Sequence, residues 1–122
     1  MKKLTMKKLK NKQELIKNMD ISLGELLNEI HYMEIAVERL KEKFENRGEH
    51  YLSIIEHYID TVKFYRFDFN CFEHFRNLAV AGKITLEKLK MYNDMIKDVI
   101  VDIQKTSDTV VRICIIEGAV VD

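Results

Sequence analysis

Residues 65–72 read YRFDFNCF and residues 109–116 read TVVRICII. In the first segment Tyr65, Phe67 and Phe69 alternate with Arg66, Asp68 and Asn70, the period-two pattern of a half-buried strand. The second is rich in β-branched residues, which favour strands. Paired with each other, the two would make a small C-terminal hairpin or sheet and an α+β fold. Helix is the stronger reading. Each segment continues an apolar stripe of spacing three and four that starts well upstream, and no turn residue precedes Tyr65.

The stripe through the first segment comprises Tyr51, Ile55, Tyr58, Val62, Tyr65, Phe69 and Phe72, with Gly82 as its stop. The stripe through the second comprises Leu89, Tyr92, Ile96, Val99, Ile103, Thr106, Val110 and Ile113. Thr85 is placed to cap that helix, with Ile84 and Leu89 as a hydrophobic staple. The group Thr106, Ser107 and Asp108 offers a point at which that helix can break in two. Upstream, Leu23, Leu26, Ile30, Met33, Val37, Leu40 and Phe44 form a further stripe, closed by Arg47 and Gly48. Ser22 and Glu25 match a capping box there, with Ile21 and Leu26 at the staple positions.

Three long helices with very short connections predict an all-α fold, an antiparallel up-down bundle. The expected organisation is a helical bundle domain over residues 20–122, preceded at 1–19 by a basic N-terminal arm or short fourth helix. A third helix unbroken over 86–116 would span about 46 Å, against about 37 Å for a first helix over 23–47. Apolar surface near the C-terminus would then outrun its intrachain partner, which predicts self-association into a homo-oligomer.

Composition supports this picture. The 122 residues are 47% apolar and 33% charged, which excludes a disordered chain, and proline is absent, which suits helices with few connections. Lys2, Lys3, Lys7, Lys8, Lys10, Lys12 and Lys17 face the single acid Glu14 in residues 1–19. The net charge is zero, so the +6 of that segment leaves −6 on the rest. No apolar core follows the basic start as a secretory leader requires, and the apolar run at 110–121, broken by Arg112 and Glu117, is too short to span a bilayer. Cys71 and Cys114 form no CxxC pair and read as reduced thiols, so a cytoplasmic location without a membrane span is expected. The lysine-heavy, isoleucine- and asparagine-containing usage is of the kind AT-rich bacterial or phage genomes encode.

No chemistry emerges from the motifs. His31 with Glu34 and His57 with Asp60 are spaced three apart, but the Glu-x-x-His of di-metal bundles is missing and the pairs lie off the apolar stripes. Glu49, His50, Glu56 and His57 recur at seven residues and read as a solvated face. Gly82 and Lys83 do not complete a phosphate loop, since Asn77 and Ile84 hold the places of its glycine and its Ser or Thr. Ser53 and Ser107 lie in no nucleophile elbow, and Cys71, three residues from His74, sits in an aromatic run that suits a structural thiol. The expectation is a protein that is not an enzyme, with no cofactor and no metal site.

Two features point to binding. Seven of the eleven aromatics fall between Tyr58 and Phe75, with Phe64, Phe67 and Phe75 beside the stripe. Together with Val110, Ile113 and Ile116 these are the candidate contacts to an unidentified protein partner. The expected function is a non-catalytic interaction module of adaptor, chaperone or inhibitor type. The alternative is a nucleic-acid-associated regulator using the seven lysines, which neutralise phosphates without reading bases, since arginine and aromatic residues are absent from the arm.

Overall fold

The computed structural model describes residues 2–116, with side chains from Met6 onward. The C-terminal remainder of the 110–121 run lies outside the described residues. Three helices occur in order: α1 (Lys2–Phe44), α2 (Glu49–Val80) and α3 (Leu86–Ile116). Among the described residues there is no strand, so the α+β alternative is not supported.

Both ambiguous segments are helical because their apolar residues divide between faces. Tyr65 and Phe72 are buried and Phe69 packs partly against the core, while Phe67 points outward. The apparent alternation is thus two helix faces sampled in turn. In α3, Val110 and Cys114 are buried one turn apart, and this packing outweighs the low helix propensity of the β-branched residues around them. Thr106 and Thr109 donate their hydroxyl hydrogens back to the carbonyls of Asp102 and Lys105, at 3.0 and 3.1 Å, so α3 does not divide there.

Cross-links between helices fix their directions. The Arg76 guanidinium pairs with Asp20, Arg66 pairs with Glu34, and the Phe44 ring stacks on Tyr51 at 5.0 Å, which makes α1 and α2 antiparallel. Phe75 stacks on Tyr92 at 4.3 Å, so α2 and α3 are antiparallel as well. Asn93 donates to the Leu15 carbonyl and Gln104 donates to Glu29, leaving α1 and α3 side by side in the same direction. Every member of the first predicted stripe, from Leu23 to Phe44, is buried.

The start of α1 departs from expectation. Its helix runs unbroken through Ser22, whose side chain is buried, and Ile21 at the supposed staple position is exposed. The capping box is therefore not a cap. Met19 is fully buried and Leu15 and Ile16 pack against the core, so the buried stripe begins two turns earlier and carries the helix across the predicted boundary. At 43 residues α1 spans about 64 Å, well beyond the 31 residues of α3. The overhang lies at the N-terminus of α1, where residues 6–11 are all exposed, rather than at the C-terminal end of α3.

The turn between α2 and α3 behaves as its sequence predicts. Gly82 takes φ +74°, and the bonds from Gly82 N–H to Ala79 O (3.1 Å) and Lys83 N–H to Leu78 O (2.9 Å) close α2 with a Schellman motif. Thr85 Oγ1 accepts the Lys88 amide at 3.2 Å, capping α3. The first turn differs: α1 ends at Phe44, ahead of Arg47 and Gly48, and Gly48 with φ +112° leads into α2, a conformation that favours glycine, rather than stopping α1.

Candidate interaction surfaces

The six candidate contacts separate into two groups. Phe64 and Phe67, one turn apart on α2, are 71% and 65% exposed and form an open apolar patch rimmed by Asp60 and Lys63. Ile116, at the end of α3, is also exposed. The other three are taken up inside the bundle. Phe75 stacks on Tyr92 and meets Phe72 edge-on at 6.5 Å, Val110 is fully buried, and Ile113 packs partly against the core. A helix apolar on two sides leaves open which side its neighbours cover, and α3 covers the side bearing Phe75.

Of the seven arm lysines, Lys7, Lys8, Lys10 and Lys17 are exposed and Lys12 is half-buried, while the side chains of Lys2 and Lys3 lie outside the described residues. Met6, Lys7, Leu9, Lys10 and Gln13 form a second open patch, mainly apolar, on the overhanging turns of α1.

Of the histidine–acid pairs, Glu34 is engaged elsewhere. Glu34 holds Arg66 across the α1–α2 seam, and the His57 carbonyl accepts the Thr61 hydroxyl. The His50 and His57 rings lie edge-on to Tyr51 and Tyr58. Among the described residues no three His, Cys, Asp or Glu side chains gather where an ion would be held. Both cysteines are free, and burial pushes the Cys114 thiol up, against the opposing pull of Arg39.

One polar cluster was invisible in the sequence. Tyr65 donates its hydroxyl hydrogen to Asp102 Oδ2 at 2.6 Å, with Thr106 Oγ1 3.1 Å from the phenol oxygen. Burial, then the bond to Asp102, pushes the Tyr65 phenol up to about 12. Asp68 nearby is raised as well, by burial and by the Asp102 charge. The available signal was the seam position of Tyr65, since a buried phenol needs a partner for its hydroxyl. The cluster ties α2 to α3.

Fold and surfaces together define an up-down three-helix bundle with exposed apolar patches and an overhanging basic first helix. None of its helices, over the described residues, is long and apolar enough to cross a membrane. No protein-family model, curated protein or solved structure matches the chain.

Proposed function

We propose that the chain is a non-catalytic protein–protein interaction module, of adaptor, chaperone or inhibitor type, that acts through helix faces and self-associates. The observation that carries this reading is the pair Phe64 and Phe67. Two phenylalanines left mostly in water on adjacent turns, while Tyr65 and Phe72 beside them are buried, are what an interface anchor looks like before its partner arrives. A pull-down comparing the wild type with the Phe64→Ser/Phe67→Ser double variant tests it. A partner held by the first and released by the second, at equal helicity, supports the reading, and an identical set of retained proteins overturns it.

The exposed lysines favour a second reading, a nucleic-acid-associated regulator. Phosphate binding weakens steeply with salt, whereas apolar helix packing does not. Replacing Lys7, Lys8, Lys10 and Lys12 with glutamine would abolish such binding and leave contacts through Phe64 and Phe67 intact.

A further inference from the structure

The outer face of α1 carries a self-complementary pattern. Met6, Ile21, Tyr32 and Ile35 are between 52% and 69% exposed. At about 100° per residue the four fall within an arc of about 80°, opposite the buried stripe of Met19, Leu26, Ile30 and Val37. α2 does not reach this arc, and on the α3 side Tyr32 and Ile35 border a groove shared with Val111 and Cys114 while staying more than half exposed. Asp20 and Glu34 mark the flank turned to α2 through Arg76 and Arg66, and Leu15 and Glu29 mark the flank turned to α3 through Asn93 and Gln104. Met6 stands fifteen positions before Ile21 and Ile35 stands fourteen after it, so the exposed apolar residues are arranged almost symmetrically about Ile21.

Charge along the same helix is arranged for opposite ends to meet. Residues 2–17 hold seven lysines and one acid, a net +6. Residues 20–44 hold six acids against Arg39, Lys41 and Lys43, a net −3; Asp20, Glu29 and Glu34 are engaged by α2 and α3, and Glu25, Glu38 and Glu42 are exposed. A parallel pairing of two such helices sets lysine against lysine, while an antiparallel one sets the basic half against the acidic half. The two halves of one α1 cannot meet each other, because the helix is continuous from Lys2 to Phe44.

We infer that a second copy of this chain docks on the outer face of α1, as a two-fold antiparallel α1–α1 pair. Ile21 lies at the dyad against the partner's Ile21, and Met6 packs against the partner's Ile35 at each end. A two-fold interface is isologous, so one self-complementary face suffices for both subunits. The overhanging turns of α1, exposed in their own chain, then lie over the acidic half of the other copy. This inference rests on the self-association proposed above and assigns it to a surface other than Phe64 and Phe67.

The test is light scattering on the full chain over a concentration series, with two double variants beside the wild type. The wild type is expected to be a dimer. Ile21→Glu/Ile35→Glu, at exposed positions where glutamate suits a helix, is expected to raise the dimer Kd roughly a hundredfold or more at unchanged helicity. Phe64→Ser/Phe67→Ser is expected to remain dimeric. For orientation, Met6→Cys chains are mixed with Ile35→Cys chains, both in a Cys71→Ser background, under mild oxidation. A mixed disulfide forming faster than either homodisulfide supports the antiparallel pair, since a bridge needs Cα atoms within about 7 Å. Preferential homodisulfides overturn it. A dimer that survives the α1 variant and dissolves in the α2 variant overturns the α1 surface while leaving self-association standing. A wild type monomeric at every concentration overturns both.

Discussion

Tyr65 of α2 and Asp102 of α3 are joined by a 2.6 Å hydrogen bond from the phenol to the carboxylate, across the seam where Phe75 stacks on Tyr92. A bond to a charged acceptor is stronger than one between neutral groups, and the Tyr65 side chain is buried. Tyr65→Phe is therefore expected to destabilise the bundle by about 1–2 kcal/mol in urea unfolding, without altering helicity. A change of under a few tenths of a kcal/mol would mean that the seam is held by packing alone.

The same contact makes stability depend on alkaline pH. The folded phenol is pushed to about 12, above its ordinary value of 10.0. The native state holds the proton more tightly, so this contribution is complete below about pH 10 and is lost as pH rises toward about 12. Unfolding free energy should fall over that window more steeply in the wild type than in Tyr65→Phe. Equal slopes would show that the other tyrosines and the lysines account for the whole dependence.

Asp68 is shifted in the same direction, but in the acid range. Its carboxyl is raised by burial and by the charge of Asp102, so the ionised form is disfavoured in the folded state. What Asp68 contributes is greatest when it is protonated and declines as pH rises through its folded value. Asp68→Asn should stabilise the protein at pH 7 by about 0.5 kcal/mol, a small gain because the site is partly solvent-screened. The gain should vanish in acid, where wild-type Asp68 is itself neutral. Equal stabilisation at both pH values would trace the effect to packing.

The turn between α2 and α3 is specified by two residues with separate roles. Gly82 supplies the left-handed φ of +74°, and Thr85 accepts the Lys88 amide. Gly82→Ala and Thr85→Ala are each expected to cost about 1 kcal/mol, the first through backbone strain and the second through a lost cap. Thr85→Ser should recover most of the second loss in thermal unfolding, because it keeps the accepting oxygen.

Much of this architecture could be read from residue spacing, and what escaped has physical reasons. The stripe from Leu23 to Phe44 and the Thr85 cap depend on residues within a few turns of one another, so the sequence displays them directly. The Tyr65–Asp102 bond depends on how α2 is rotated against α3, which no local spacing reveals. Phe75 is expected at a surface because apolar residues on two sides of a helix look alike until a neighbour covers one of them, and Val110 because a first helix starting near residue 23 would be too short to cover it. Ser22 and Glu25 misled for a different reason. Ser-x-x-Glu marks a helix start only when the preceding turn is not helical, and here the lysines, leucines and methionines upstream are good helix formers anchored by Met19.

That anchoring gives the last prediction. Residues 6–11 are all exposed, whereas Leu15, Ile16 and Met19 pack on the core and the Leu15 carbonyl accepts Asn93. Removing residues 2–11 should leave the unfolding free energy of the monomer within about 0.5 kcal/mol of the full chain, the range of surface changes. Extending the deletion through Met19 removes three core side chains and leaves the buried Asn93 short of a partner. The expected loss is about 4 kcal/mol or more, enough to unfold a domain of this size. Urea unfolding of the two truncations, at a concentration low enough to hold both as monomers, separates them. If the shorter deletion were as damaging as the longer, the overhanging turns would be stabilising the bundle directly, and their role as a free docking segment would have to be abandoned.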